Sequence, residues 1–414
     1  MAWDDETKRY RTGTHRAVPP EQTLARARPL LGEMGITRIA NITGLDRVGL
    51  PVVMVCRPNS RSVAVSQGKG LSLQAAKASG VMEAIETYHA ETITLPLRFG
   101  SRVELADSVR LARVDALPCS QSRRYRDDLQ LLWIEARDWL NDTSAWLPYE
   151  IVSTNYTLPW PRGSGCFAAT TNGLASGNTL VEAVAHGIYE VVERDACTLW
   201  KLGRGRARKS TGVDPDSIDD PACRAVLTRF ADAGIEVRIW QAETDLGLPV
   251  FLCLAAGGED DWADPEFGAG CHAAREIALV RALTEAAQAR TTFIAGARDD
   301  IGAGLYRHEA RRRRREYCRE LIDGHSPARE FADVPTFESE SLADDLDWCL
   351  ARLRAGGIRQ VLVVDLTKKH IGVPVVRVVI PGLEGPFEHE QGDYVPGPRA
   401  RRLIGRGFPG MAAV

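Results

Sequence analysis

Three glutamates lie at helical spacing in the middle of the chain, within residues 171–195. A glycine turn and a capping candidate, Asn178 or Thr179, precede them, and apolar residues then recur at the period of a helix. With about 100° between successive helical residues, the three carboxylates fall within an arc of roughly 80°. They are Glu182, Glu190 and Glu193.

The shared stripe of glutamates has two interpretations. An amphipathic helix carries charged residues on its solvent-facing side, and this helix alone favours that arrangement. Alternatively, the carboxylates supply hard oxygen ligands for Mg²⁺ held against the phosphates of a nucleotide. The choice depends on whether the rest of the chain repeats the pattern.

A pattern of two strands joined by a turn recurs along the chain. Three copies begin with Gly-Ile and return through Gly-Leu-Pro-Val or Gly-Val-Pro-Val, at residues 35–55, 234–252 and 357–377. A looser copy covers residues 131–149. Runs of β-branched and apolar residues on both sides of a turn predict antiparallel hairpins.

Helical patterns follow three of these hairpins and align with one another without gaps. We expect the helices to begin at small residues, namely Gly68, Ala175 and Gly270. Further small residues at four-residue spacing are explained by close packing. Carboxylates coincide in the same alignment at Glu83, Glu190 and Glu285, and three positions later stand Glu86, Glu193 and Gln288.

Residues three apart on a helix face the same way, so each module presents two oxygen-bearing side chains together. Packing does not explain a shared Glu-x-x-Glu or Glu-x-x-Gln. If the modules are related by pseudo-symmetry, the pairs converge on one cleft. The repeat therefore favours the metal and phosphate interpretation over the solvated face.

The repeated hairpin-plus-helix module predicts an α/β (α+β) fold, with mixed or antiparallel sheet covered by helices. We expect a polar N-terminal lead at residues 1–20, one compound domain at 21–402 and a tail at 403–414. An initial helix is predicted at residues 21–34. The modules span about 21–97, 129–200, 221–298 and 344–384, with variable surface connections at 98–128 and 299–335.

Composition excludes several classes of function. The chain has 414 residues, and neither its polar N-terminus nor any apolar run suits export or membrane spanning, which predicts a cytoplasmic protein without a membrane partner. Nine scattered cysteines without a C-x-x-C pair predict reduced thiols. A net charge of −3 disfavours nucleic-acid binding, and the basic run at residues 311–315 is typical of a solvated helix.

The segment Ser66-Gln-Gly-Lys69-Gly70 is not a Walker A motif, because glycine follows the lysine where Ser or Thr is required. A glycine turn with one lysine before a helix is compatible with phosphate contact through backbone amides and charge. An ordinary turn explains the segment equally well. No G-x-S-x-G segment is present, which disfavours hydrolase chemistry.

Four ordered motifs resemble the YcaO family over residues 10–402. They are Ser66-x-Gly-Lys69-Gly70; Ser79-x-x-x-Glu83-x-x-Glu86; Asn172-Gly-Leu-Ala-x-Gly177 leading to Glu182, Glu190 and Glu193-Arg194-Asp195; and Arg281-Ala-x-x-Glu285-x-x-Gln288-x-Arg290 with Arg298-Asp299-Asp300.

The resemblance implies a YcaO fold that binds ATP and Mg²⁺ and phosphorylates the oxygen of a peptide backbone amide. Members of that family make azolines from Cys, Ser or Thr, or thioamides with a sulfur donor. Glu83, Glu86, Glu190 and Glu193 would be the metal ligands. The nucleotide site would comprise Lys69, Ser79, Glu83, Asn172, Glu182, Arg194, Glu285 and Gln288.

Two features resemble the thioamide-forming branch. Azoline-forming members commonly end in Pro-x-Pro-x-Pro, whereas this chain ends Gly-Met-Ala-Ala-Val414. Several segments, such as Lys8-Arg-Tyr-Arg11 and Pro381-Gly-Leu-Glu384, resemble stand-alone members that work with TfuA-like partners. We therefore expect thioamidation of a peptide or protein substrate by a homodimer. Azoline formation, and a non-catalytic nucleotide-binding accessory to a methylthiotransferase, are the alternatives.

Overall fold

The computed structural model describes residues 6–203, 206–258, 261, 263–387 and 394–405. The first five residues of the predicted N-terminal lead, and most of the predicted tail, at 406–414, lie outside the described residues. The chain divides into two compact units. The first unit comprises Thr7–Ala84 and Gly205–Leu342, and the second comprises Met1–Glu6, Ile85–Arg204 and Ala343–Val414.

The structure contains short strands of three to eight residues. They are β1 (Arg38–Asn41), β2 (Val52–Cys56), β3 (Val65–Lys69), β4 (Leu97–Gly100), β5 (Leu131–Asp138), β6 (Thr143–Pro148), β7 (Leu174–Ser176), β8 (Glu236–Gln241), β9 (Val250–Ala256), β10 (Glu266–Cys271), β11 (Leu362–Asp365) and β12 (Val375–Val379).

Three long helices, α2, α5 and α8, follow β3, β7 and β10. The helices are α1 (Pro20–Ala27), α2 (Leu73–Glu91), α3 (Arg102–Leu105), α4 (Tyr149–Val152), α5 (Leu180–Leu202), α6 (Arg206–Lys209), α7 (Pro221–Asp232), α8 (Arg275–Ala295), α9 (His308–Asp323), α10 (Leu342–Ala355) and α11 (Pro398–Gly405).

The first unit contains two antiparallel three-stranded sheets, β1-β2-β3 and β8-β9-β10. Strand β9 is buried at every position, which explains its uninterrupted apolar sequence. Helices α7 and α8 cover β8 and β9 with a core that includes Phe230, Phe251 and Leu283. Burial of these large apolar side chains is the main driving force for this packing.

The second unit is built on one antiparallel sheet in the order β4-β5-β11-β12-β7, with β6 paired to β5. Strand β12 is also buried at every position. Its partner β7 leads directly into α5. Helix α5 is therefore anchored to strands from the C-terminal part of the chain.

The hairpin that accompanies α5 is not the one that precedes it in sequence. Strand β7 pairs with β12 in the register Ala175↔Val376, and β12 pairs with β11. The set β11-β12-β7-α5 therefore repeats the sets β1-β2-β3-α2 and β8-β9-β10-α8. One of the three copies is discontinuous in sequence, and the antiparallel sheet covered by helices confirms the predicted fold class.

The small residues expected to begin the helices lie instead in the preceding strands. Gly68 is in β3, Ala175 in β7 and Gly270 in β10. A Cβ on Gly68 would lie 2.0 Å from the Ala76 carbonyl oxygen and 2.1 Å from the Gly80 nitrogen. The small residues are needed because strand backbone and helix backbone touch, and not because a turn begins there.

Other boundaries also differ from expectation. Helix α1 ends at Ala27 and continues only as a 3₁₀ turn at Arg28–Leu30, because Pro29 has no N–H for a helical hydrogen bond. The connection predicted at residues 98–128 includes most of strand β4, and that predicted at 299–335 includes helix α9. Both segments also place apolar residues in the core, such as Leu117 and Phe331, so they are surface connections only in part.

The basic run at residues 311–315 is a helix, but it is less solvated than predicted. Arg311 and Arg315 donate to Asp264 at 3.0 and 2.8 Å, and Arg314 pairs with Glu266. Asp264 is fully buried, so its charge requires such partners. All nine cysteines are free thiols, and the described helices include none that is long and apolar enough to cross a bilayer.

Candidate functional site

In the first unit, the fold brings Lys69 and Glu285 into contact. Lys69 ends strand β3, Glu285 lies on α8, and the lysine Nζ forms an ion pair with the Glu285 carboxylate. Their side chains are 19% and 24% exposed, so solvent screens the pair only partly. The sequence predicted each residue separately as part of the nucleotide site. The structure shows that the two side chains form an ion pair.

Glu83 belongs to the same charged group. It lies half-buried on α2, and burial raises the pKa of its carboxyl to about 7, while Arg298 and Lys69 oppose that rise. Arg298 is itself held by Asp300, with Nε 2.8 Å from a carboxylate oxygen. Arg298 is part of the fourth motif, but the sequence assigned it no role. The structure shows that its positive charge acts on Glu83.

The other two candidates of the first unit are less constrained. Ser79 is exposed on α2, one turn before Glu83. Gln288 is half-buried on α8, one turn after Glu285, and its backbone carbonyl accepts from Thr292. Gly68 in β3 lets the strand lie against the backbone of α2 at Ala76 and Gly80, and Lys69 follows it at the end of the strand.

In the second unit, Glu86 is fixed at the end of strand β7. One of its carboxylate oxygens accepts from the Ser176 backbone nitrogen at 2.9 Å and from the Ser176 hydroxyl at 2.6 Å. The structure therefore holds the Glu86 carboxylate in place at the end of β7.

Thr179, the second of the two capping candidates, is the N-cap of α5. Its hydroxyl accepts from the Glu182 backbone nitrogen at 3.1 Å, and the Asn178 side chain donates to the Glu182 carboxylate at 3.1 Å. Glu182 is 3% exposed. An acidic residue in the first turn is also stabilised by the helix dipole.

The solvated-face interpretation of α5 does not hold in the structure. Glu193, like Glu182, is buried, at 2% exposure, and Glu190 is half-buried. Arg194 has Nη2 3.6 Å from the Glu193 carboxylate. Buried carboxylates need cations, donors or metals to compensate lost hydration.

These residues fit Mg²⁺ and ATP by their chemistry. Mg²⁺ prefers carboxylate oxygens and is not held by the thiol or imidazole groups that bind zinc or copper. The cations Lys69, Arg194 and Arg298 are of the kind that neutralise phosphate oxygens. The chain thus carries the donor types that both groups require.

Asn172 lies in the wall of a small cavity that Glu384 and Arg377 of β12 also line, and the Arg377 guanidinium interacts with the charge of Glu190. Arg377 was not predicted as a site residue. A single charged residue inside the apolar run Val375-Val-Arg-Val-Val379 was the available signal, because an arginine in the middle of a buried strand needs a specific partner.

The raised pKa of Glu83 predicts a pH-dependent stability. Its folded pKa of about 7 exceeds the ordinary 4.5, so the stabilisation is complete below about 4.5 and is lost as pH rises through about 7. Glu83→Gln removes this loss. Denaturant unfolding in EDTA should show that the variant gains stability over the natural protein between about pH 5 and pH 8.

The control for this measurement is Glu316→Gln, at an exposed position of α9 whose side chain is 60% exposed. Its stability relative to the natural protein should not change over the same range. A pH-independent difference for Glu83→Gln would show that burial does not penalise the Glu83 charge.

Three repeats of three antiparallel strands and a helix, with carboxylates at one helical position, define the class of protein. It is an α/β protein with a donor set suited to Mg²⁺. Two solved structures share the fold. A heterocyclase in complex with substrate and cofactor aligns with a TM-score of 0.75 at 22% identity, covering 93% of this chain and 54% of that one. YcaO from Methanopyrus kandleri bound with AMPPCP and Mg²⁺ aligns with a TM-score of 0.74 at 22% identity, covering 93% and 99%.

The family follows from the sequence comparisons. The protein-family model described as YcaO cyclodehydratase, ATP- and Mg²⁺-binding, matches residues 67–384 of this chain. The chain therefore belongs to the YcaO family of ATP-dependent enzymes, and ATP and Mg²⁺ are its cofactors. It spans about half the length of the heterocyclase.

Two relatives extend the comparison over most of the chain. A protein of Rhizobium leguminosarum bv. trifolii, described as an uncharacterized protein in the tfuA 3′ region, is 36% identical over 378 residues, 89% of this chain and 88% of its own. An uncharacterized protein of Methanothermobacter thermautotrophicus is 36% identical over 379 residues, 89% and 94% of the two chains.

Proposed function

We propose that this protein phosphorylates the oxygen of a peptide backbone amide and so prepares the amide carbon for sulfur, giving a thioamide. The observation that carries the proposal is the conjunction of buried carboxylates on α5 with a relative of 36% identity named for the tfuA region. The carboxylates supply the metal site that phosphoryl transfer needs. The tfuA region for which that relative is named fits the thioamide-forming branch, which the sequence motifs of this chain resemble.

The proposed roles follow the chemistry of each side chain. Four glutamates are metal ligands, namely Glu83, Glu86, Glu190 and Glu193. Most of the remaining candidates bind the nucleotide: Lys69 and Arg194 through charge, and Ser79, Glu182, Glu285 and Gln288 through hydrogen bonds or metal-bound water. Asn172, which the sequence places in the same set, lines a small cavity that cannot hold a nucleotide.

An amide oxygen is a weak nucleophile, so catalysis depends on positioning and on neutralising phosphate charge. When bound, ATP and Mg²⁺ supply the phosphoryl group and the divalent charge. Glu86 and Glu182 are already held by Ser176 and by Asn178 with Thr179, which reduces reorganisation on binding. Lys69, paired with Glu285, is placed at a strand end where a phosphate oxygen can replace the carboxylate.

The net reaction balances with hydrosulfide as the sulfur source. A carbon–sulfur bond forms, and the carbon–oxygen bond of the activated amide breaks. The amide oxygen leaves on phosphate, and the hydrosulfide proton ends on that phosphate. The products are thioamide, ADP and inorganic phosphate.

The test uses the purified full chain with ATP, Mg²⁺, sulfide and each short peptide encoded beside its gene, with and without a TfuA-like protein. We expect ADP and a peptide whose mass reflects one oxygen replaced by sulfur. No ADP and no mass change with any of these peptides would refute the proposal.

Azoline formation is the second candidate, favoured by the cyclodehydratase description of the family. Its product is lighter than the peptide by one water and needs no sulfide. A third candidate, a non-catalytic accessory to a methylthiotransferase, predicts nucleotide binding without ADP formation. The same assay therefore separates all three. We also propose a cytoplasmic homodimer that engages a TfuA-like partner.

A further inference from the structure

Arg377 is a buried cation with unused donors. It lies in the middle of β12, opposite Leu174 of β7, and is 1% exposed. Its Nη2 donates to the Thr170 carbonyl oxygen at 2.6 Å. Within the described part of the chain, its Nε and Nη1 have no hydrogen-bond partner. Burying such donors without a partner is costly, so a ligand that accepts from them would be strongly favoured.

The unused donors belong to a residue that lines a small cavity of about 30 Å³ in the second unit. That volume exceeds what one water needs, but it is far too small for a nucleotide. Most of the wall is apolar, including Ile151, Val191 and Leu383. Such walls favour a small, weakly hydrated ion over a strongly hydrated one.

One acceptor in the wall is also unsatisfied. The Oδ1 atom of Asn172 is buried and has no hydrogen-bond partner among the described residues. The carboxylate of Glu384, on another part of the wall, is already used. It accepts from the Tyr394 hydroxyl at 2.8 Å and from the backbone nitrogens of Gly397, Arg399 and Ala400 at 2.7, 2.9 and 2.9 Å.

Arg377 keeps its charge in this setting. Burial lowers the pKa of its guanidinium to about 10, while Tyr156 and Glu190 favour the charged form. It is therefore a cation at neutral pH. The cavity thus combines a fixed positive charge, two free donors, one free acceptor and apolar walls.

We propose that this cavity binds a small monoanion that accepts hydrogen bonds from Arg377 and donates one to Asn172, and that hydrosulfide is this anion. The identification of hydrosulfide rests on the proposed thioamidation. Hydrosulfide has a single negative charge, a single S–H donor and a size suited to the cavity. Chloride and bromide share the charge but lack the donor, so Asn172 distinguishes the two kinds of anion.

The first test measures binding of sodium hydrosulfide and of sodium bromide by calorimetry, without ATP or peptide. The natural protein should bind both anions. Arg377→Met should weaken both by roughly tenfold or more, because charge-assisted hydrogen bonds are lost. Asn172→Leu should weaken hydrosulfide and leave bromide unchanged. If hydrosulfide and bromide each bind with the same affinity to the natural protein, to Arg377→Met and to Asn172→Leu, the proposed site is wrong.

Two further variants distinguish a loss of anion binding from a loss of folding. Arg137→Met removes an arginine of β5 in the same sheet that pairs with Asp142, and it should bind both anions normally. Arg377→Lys keeps the positive charge with fewer donors, and should retain weakened binding if Arg377→Met does not fold. Unchanged hydrosulfide binding in a folded Arg377→Lys would contradict the role of the guanidinium.

The enzyme assay separates this site from the proposed function. Thioamide formation with the same KM for sulfide in the natural protein and in Arg377→Met would refute the site and leave the function standing. Anion binding that depends on Arg377, together with no thioamide from any tested peptide, would refute the function and leave a monoanion site.

Discussion

The Glu193→Gln substitution is expected to lower ATP turnover roughly a thousandfold without unfolding the protein. Glu193 is 2% exposed on α5, and glutamine preserves its shape while removing the charge that a divalent cation would neutralise. Removing that charge also relieves a burial cost, so the folded state should be at least as stable. A large loss of turnover with retained stability is the signature of a ligand, not of a core residue.

The measurement is ADP formation with peptide, together with the Mg²⁺ concentration that gives half-maximal rate. Glu316→Gln, on the exposed face of α9, is the matched control and should behave as the natural protein. Glu83→Gln should lose turnover in the same way. Unchanged peptide modification in both Glu83→Gln and Glu193→Gln would contradict the metal assignment.

The sequence was sufficient to predict which helical positions carry carboxylates, because the three-residue spacing is a local property. It was insufficient to predict their environment. Glu182 and Glu193 looked like a solvated stripe on one helix, and the structure buries both. Helix α5 packs against β7, just before it in sequence, and against β12, far away in sequence. Burial of a helix face depends on its tertiary partners, which periodicity alone does not identify.

Strand pairing shows the same limit. The hairpin phrase at residues 357–377 was recognisable, but its pairing with β7 joins segments separated by about two hundred residues. Sequentially adjacent strands pair more often than distant ones, so the local hairpin was the natural expectation for α5. The pairing of Lys69 with Glu285, from strand β3 to helix α8, could not be predicted for the same reason.

Arg377 illustrates a signal that was present and local. Four of the five residues of β12 are valine, and the fifth is a fully buried arginine. Burial of a guanidinium inside an apolar strand is rare unless the group has a partner. The composition of the strand therefore pointed to Arg377, although its unused donors and the cavity are visible only in the structure.

The Gly68→Ala substitution is expected to destabilise the first unit by about 3 kcal/mol or more, since the added methyl group overpacks a backbone contact. The new Cβ would lie 2.0 Å from the Ala76 carbonyl oxygen and 2.1 Å from the Gly80 nitrogen, and neither backbone atom can move without shifting α2. Such a shift would also displace Lys69 and Glu83, which flank the contact on β3 and α2. Turnover should therefore fall together with the urea midpoint of unfolding.

Gly44→Ala is the control for that substitution, because nothing lies within 4 Å of its Cβ position and its backbone is not in the left-handed region. Its urea midpoint should differ little from that of the natural protein. Gly268→Ala should resemble Gly68→Ala, since its Cβ would lie 2.2 Å from the Ala282 carbonyl oxygen of α8. Equal midpoints for Gly68→Ala and Gly44→Ala would mean that β3 and α2 can separate without cost. In that case the small residues shared by the repeated modules would need an explanation other than close packing of strand on helix.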